Sequence, residues 1–224
     1  GTVSVGDDGI WTFTPPNALS EGSHSLSATV TSPAGNTSPP SGPVVVNIDL
    51  TAPAVADDLQ LTNDNGTAPL PINGVTNDVT PQFSGSAEPG SSVAIYDNDE
   101  LLGTARTDAD GRWTFTPDPA LEAGAHSLTT VVTDAAGNSG PASTAINFTI
   151  DLTTPPAAGG VELISNNGTA NQPVTSGDAT NDTTPVLSGS AAEGSTVTIL
   201  DGNTVLGTVL VDSSGAWTFP IPVL

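Results

Sequence analysis

One phrase occurs three times in this chain: DDGIWTFTP (7–15), ADGRWTFTP (109–117) and SSGAWTFP (213–220), which puts Trp11, Trp113 and Trp217 at intervals of 102 and 104 residues. A longer phrase, TNDVTPQFSGSAEPGSSVAIYDN (76–98), returns as TNDTTPVLSGSAAEGSTVTILDG (180–202) at a step of 104. The two extra residues fall between NGTA (65–68, 167–170) and TND, where a loop absorbs them. A period of about one hundred residues is the size of a small domain, so the chain reads as copies of one folding unit in tandem. Gly1 aligns with Gly103 and Leu224 with Ala120, out of register with that period. The expected division is the C-terminal half of a first unit over 1–50, a complete unit over 51–152 and the N-terminal half of a third over 153–224.

Within the complete unit, apolar residues alternate at period 2 between turn signals, and no segment sustains a helical period. Val93 and Ile95 share a face, as do Trp113 and Phe115, then Leu128, Thr130 and Val132, then Ile146, Phe148 and Ile150. About seven short strands in about one hundred residues predict an all-β fold, an immunoglobulin-like sandwich repeated end to end. The strands are expected over 59–63 (A), 82–87 (B), 92–97 (C), 101–107 (C′), 112–116 (E), 126–133 (F) and 143–150 (G), with DADG (108–111) as the hairpin between C′ and E.

The charge narrows the partners. Of 224 residues, 24 are Asp or Glu and only two, Arg106 and Arg112, are basic, for a net charge of −22. Nucleic acid and anionic membrane both demand clustered cations, so neither is an expected partner, and cations are. With no Cys the chain has no disulfide, no zinc-thiolate site and no thiol nucleophile. No apolar run is long enough to span a bilayer, and the absence of Met, at residue 1 and throughout, leads one to expect an internal fragment of a longer protein.

GSAEPGSSV, LGTARTDADGRWTFTP, VTDAAGNSGPAS and the closing IDLTTP, in that order and at one fixed period, resemble the bacterial Ig-like repeats of giant type-I-secreted adhesins of the RTX type. The likeness extends over essentially the whole chain. It implies a surface protein of Gram-negative bacteria, extracellular, built of many such sandwiches in tandem for attachment and biofilm formation. It further implies calcium between and within repeats, and contact with a host or surface receptor through a distal domain.

The residues give their own reason to look for calcium. In such a sandwich the B–C and F–G loops lie at the end where the chain enters. That end should gather Asp49 from the linker VNIDLTAP, Glu88 from SAEPGS and Asp134 from TDAAGN. Three carboxylates at one seam repel unless a hard cation takes their oxygens together with main-chain carbonyls and water, and calcium accepts six to eight. Asp151 and Glu193 occupy the equivalent positions at the next seam. In the first half-unit Ser32 replaces Asp134, so successive seams should differ in affinity. A second candidate lies in the A–B segment, at Asp64, Asn77 and Asp78, with Asp182 the later counterpart of Asp78. Its plainer reading is turn chemistry, since Asn-Gly and Asn-Asp are ordinary turn pairs and the later copy SNNGT carries no acid.

Catalysis has little to stand on. His24 and His126 are equivalent strand residues, and no Ser or Thr repeats beside a His and an acid. Asp97, Asp99 and Glu100 could suggest glycoside chemistry, but DNDE is a hairpin tip and its copy LDGNT keeps a single acid. Two classes of function therefore stay open. One is a calcium-stiffened structural spacer in a surface adhesin, with no enzymatic activity. The other is an Ig-like module that itself binds glycan or a protein receptor, or serves as the accessory domain of a secreted hydrolase. The repeats lead one to expect every Trp in a strand, and Tyr96 is the only Tyr, which favours the spacer over a glycan platform.

The two half-units complement one another. If each leaves its core open, isolated chains should join head to tail, the C-terminal half of one completing the N-terminal half of the next. The competing expectation is that the ends are trimmed from a longer chain and carry no such meaning.

Overall fold

The computed structural model describes all residues except 64–67, 166–171 and 223–224. It divides into two compact units, Gly1–Leu152 and Thr153–Leu224. No helix of the described residues is long and apolar enough to cross a membrane.

The first unit opens with an antiparallel pair, β1 (Gly22–Leu26) and β2 (Val44–Ile48), in the register His24 to Val46. It continues with β3 (Asp57–Asn63), β4 (Ala68–Pro69), β5 (Gly74–Thr76), β6 (Gln82–Ser86), β7 (Ser92–Asp97), β8 (Glu100–Arg106), β9 (Arg112–Phe115), β10 (Gly124–Thr133), β11 (Ser139–Ala142) and β12 (Ile146–Ile150). One sheet runs β4-β3-β6-β9 and the other β5-β12-β10-β7-β8, with β11 also paired to β10. This is the two-sheet sandwich that the alternation calls for, because each strand offers one apolar face and needs an opposite sheet to cover it.

The core follows the predicted parity. Val93, Ile95, Leu128, Val132, Phe148 and Ile150 face inward from one sheet and are fully or almost fully buried. From the other, Phe83 and Trp113 meet edge to face with ring centroids 5.2 Å apart. Trp113 needs room, and Gly85 supplies it: a Cβ there would lie 2.9 Å from the indole Cζ2. The same substitution of space for side chain recurs at Gly189, where a Cβ would lie 2.7 Å from Trp217 Cζ2. The phrase SGSA thus marks where an indole crosses a neighbouring strand.

Two departures from the predicted strands have local causes. The G strand, expected over 143–150, begins only at Ile146 as β12, and a separate β11 before it also pairs with β10, with a register shift between Val131 and Thr133. At the step, buried Ser143 accepts the Thr130 N–H with its Oγ at 3.0 Å and donates to the Thr144 carbonyl at 3.0 Å, so a side chain stands in for the interrupted ladder. The long A–B segment also contains a strand the alternation does not show. Only three residues long, β5 pairs parallel with β12, aligning Gly74, Val75 and Thr76 with Phe148, Thr149 and Ile150. The pair is extended at both ends by Asn73 N–H to the Asn147 carbonyl (2.7 Å) and Asp151 N–H to the Thr76 carbonyl (2.8 Å).

The second unit comprises β13 (Gly159–Ser165), β14 (Gln172–Val174), β15 (Val186–Ser190), β16 (Thr196–Asp201), β17 (Thr204–Leu210) and β18 (Ala216–Pro220). They form a β14-β13-β15-β18 sheet and a β16-β17 hairpin around Ile199, Val211 and Trp217.

Candidate functional site

The joint between residues 1–50 and the sandwich is built around one loop. In TDAAGN, Asp134 follows the end of β10 and its side chain turns back over the loop. Its Oδ1 accepts the main-chain N–H of Ala136 (2.8 Å), Gly137 (2.7 Å) and Asn138 (2.9 Å). Its Oδ2 accepts from Asn138 Nδ2 at 2.9 Å. Those donors, the Asn138 amide foremost and then the main-chain N–H groups of 136–138, hold the Asp134 carboxyl below its ordinary pKa despite its burial. The same Nδ2 donates to the main-chain carbonyl of Asp49 at 3.1 Å. One side-chain amide therefore ties the F–G loop to the linker. Asp49 in turn folds its Oδ1 onto the Thr51 N–H (3.0 Å), and Thr51 donates its hydroxyl to Glu21 (2.6 Å), so the linker is held from both sides.

The acids of the joint bond within the chain itself. Asp49 and Asp134 do come to one place, joined by Asn138, but as a main-chain oxygen and a committed carboxylate. Glu88 is exposed, and what it contributes to the neighbouring structure is its carbonyl, which accepts from Ser91 N–H (3.1 Å) and the Thr107 hydroxyl (2.7 Å). Among the described residues no three Asp, Glu or His side chains are grouped to hold a metal ion. The physical reason is local: DAAGN is a tight loop with three N–H groups pointing inward, and the nearest carboxylate satisfies them. In the first half-unit Ser32 does this job with a hydroxyl, accepting the Asn36 N–H at 3.2 Å.

The remaining candidates divide. Asp151 follows β12 and is fixed through its main chain to Thr76. Glu193 is exposed in the turn before β16. Asp64 lies outside the described residues. Asn77 is exposed, while half-buried Asp78 accepts the Thr80 N–H at 2.9 Å and has its own N–H on the Thr76 hydroxyl. Thr76 passes the chain on to Asn63 Oδ1 at 2.9 Å, pinning the A–B segment to the end of β3. Asp182 repeats the arrangement, accepting from Thr184 N–H (2.9 Å) and the Ser165 hydroxyl (3.2 Å).

Against known families, the model of the bacterial Ig-like domain matches residues 1–50 and 51–152. The chain belongs to the bacterial Ig-like domain family. None of the curated proteins matches it. Among solved structures it is similar to a crystal structure described as a tetra-tandem repeat in the extending region of a large adhesion protein, at 25% identity and a TM-score of 0.33. That match takes in 98% of this chain and 54% of the other, so the chain spans about half its length.

Within this bacterial Ig-like repeat, two functional details escaped the sequence reading. Asn138 was one polar residue among many in Gly- and Asn-rich loops. A signal did exist, since Asn36 stands at the same place in the first copy. Asp97 stands at the β7–β8 hairpin tip as expected, pairing with Glu100, and in addition accepts from β10 with both carboxylate oxygens, Oδ1 from the Ser127 N–H (2.9 Å) and Oδ2 facing His126 Nδ1 (2.7 Å).

Proposed function

We propose that this chain is a non-enzymatic spacer segment of a large extracellular adhesin of a Gram-negative bacterium, serving attachment or biofilm formation, whose joints are stiffened by calcium. The observation that carries the spacer reading is the Asn138 bridge: a repeat that grips the linker leading into it, through a loop present in both copies, is built to fix the angle at which the next repeat follows. Two successive matches to the same Ig-like family, over 1–50 and 51–152, support the same reading.

Calcium fits the chemistry of the joint, where every available donor is a hard oxygen. The residues that would hold it are Asp49, Glu88 and Asp134, with main-chain carbonyls, and Asn138, whose amide, turned about, would release Asp134 Oδ2 and the Asp49 carbonyl to the ion and offer an oxygen in place of its nitrogen. The ion would supply charge neutralisation between carboxylates that otherwise repel. An equivalent role falls to Asp78 and to Asp182 at the A–B corners of their own units.

The test is a calorimetric titration of chelated protein, followed by thermal melting. Calcium at a hundredfold excess over its Kd should stabilise by about 2.7 kcal/mol per site, and Asp134→Ala should remove most of that gain. Magnesium should substitute poorly because it demands tighter octahedral geometry. Unchanged heat and unchanged melting on adding calcium would remove the ion from the reading and leave the Asn138 bridge as the sole tie.

A further inference from the structure

Strands β1 and β2 are the counterparts, 102 residues earlier, of β10 and β12, yet they are not built alike. The later strand β10 runs for 10 residues, Gly124–Thr133, and β1 for 5, Gly22–Leu26. What β10 has and β1 lacks is the stretch that pairs with β7, aligning Leu128 with Asp97 and Thr133 with Ser92. Its copy over 26–31 has no such neighbour. The Ala28 and Val30 carbonyls still accept the N–H groups of Ser41 and Ser38, at 2.8 and 2.9 Å, but among the described residues the main chain of Ser27 and Thr29 makes no hydrogen bond. Burial shows the same gap: Leu26, Val30 and Val44 are 45%, 57% and 68% exposed, where their counterparts Leu128, Val132 and Ile146 are at 1%, 0% and 6%.

Residues 153–224 present the opposite half. Strand β16 repeats β7, and among the described residues it pairs with β17 only, leaving open the edge that β7 gives to β10. The contacts of Asp97 are divided in the same way. In the complete repeat its carboxylate takes the Ser127 N–H and faces His126 Nδ1, whereas its counterpart Asp201 lies on β16 and the counterparts of those two partners, Ser25 and His24, lie on β1. Charge is sparse along both edges: residues 26–31 carry none and β16 only Asp201, so the acidity of the chain is not concentrated where they would meet. Only one C′–E hairpin fits a sandwich, and the two copies are unequal. In the second unit β17 and β18 are formed and Trp217 is buried, while residues 1–14 keep a turn, with the Gly6 N–H on the Ile10 carbonyl at 3.1 Å, but no strand, and Trp11 stands exposed. No sheet has to be broken for residues 1–14 to give way.

We propose that copies of this chain join by strand complementation: residues 26–31 of one copy add to the free edge of β16 in a second copy, in the register of the complete repeat, with Ser27 opposite Leu200 and Val30 opposite Val197. A second copy is the occupant that fits, because it carries the counterparts of both missing strands in their paired form. Its β1 and β2 close the open sandwich over Ile199, Val211 and Trp217, and Leu26, Val30 and Val44 pass from water into that core. The two surfaces that meet are different, so each addition leaves one of each kind open and growth is linear. The contact needs neither calcium nor the Asn138 bridge.

Sedimentation velocity of the full chain in chelator tests it. The sedimentation coefficient should climb through dimer and trimer as concentration rises, and return to that of the monomer in Thr29→Pro, which removes an N–H from the pairing edge at an exposed residue outside any strand. A coefficient that does not change with concentration overturns the proposal, and so does a ladder that survives Thr29→Pro. Because misfolding of that variant would also abolish the ladder, the register supplies a second reading. The protein has no cysteine, so chains carrying Ser27→Cys and chains carrying Leu200→Cys, mixed and oxidised, should form a disulfide between them, while Ser27→Cys mixed with Val161→Cys, on the other sheet, should not. No disulfide in the first mixture, or an equal yield in both, overturns the proposal.

Discussion

Single side chains decide how this repeat spends its acids. Asp134 is the clearest case, because three main-chain N–H groups and one amide converge on one carboxylate. Replacing it with Ala takes the carboxylate from all four, leaving Asn138 Nδ2 only the Asp49 carbonyl and the Gly137 N–H only the Asp134 carbonyl at 3.3 Å, whereas Asn keeps an oxygen for the main chain. Asp134→Ala should therefore lower the melting temperature clearly more than Asp134→Asn, by differential scanning calorimetry in chelator. The pH dependence follows from the lowered carboxyl. Its contribution is fully present above the unfolded value of 3.8 and is lost as pH falls through the lower folded value, so the wild-type loop should loosen in acid below about pH 4 while Asp134→Ala shows no such step. The core behaves more conventionally. Phe83→Ala, which removes a side chain 1% exposed, should cost about 3–5 kcal/mol in urea unfolding.

At the level of elements, the sandwich was legible because period-2 alternation translates directly into inward and outward faces. Val93, Ile95, Leu128 and Val132 are buried as that parity requires. What alternation cannot show is pairing that depends on a turn. The three-residue β5 is fixed by the bend at Asn73, whose φ of 60° is left-handed, and by the packing of Gly74 against Pro71, not by any apolar stripe. Likewise the acids near the joint were legible as neighbours, since topology alone brings the F–G loop to the linker. Their bonding was not, because whether a carboxylate faces a cation or its own loop depends on where nearby N–H groups point. Glycines give the sharpest tests at this scale. A Cβ at Gly85 would meet the Asp57 carbonyl, Leu59 Cδ2 and Trp113 Cζ2, each at 2.9 Å, and two of these neighbours are backbone or ring. Gly85→Ala should thus destabilise by about 1–3 kcal/mol, read as a lower urea midpoint with an unchanged slope.

For the molecule as a whole, the charge and the tandem order matter most. A net charge of −22 with two arginines makes self-repulsion a standing cost, so raising sodium chloride should raise the melting temperature even without calcium, by screening the mutual repulsion of the acids. The central claim is that each repeat holds the linker entering it at a fixed angle, and that calcium tightens the hold. The absence of cysteine makes this directly measurable, since labels attach only where cysteines are introduced. Spin labels at Leu50, beside the tethered Asp49 carbonyl, and at Thr104 on β8 both occupy exposed positions. Their distance distribution by pulsed electron resonance should be single and narrow, narrow further with calcium, and broaden in Asn138→Ala. A distribution as broad in the unaltered protein as in Asn138→Ala, and indifferent to calcium, would contradict the account.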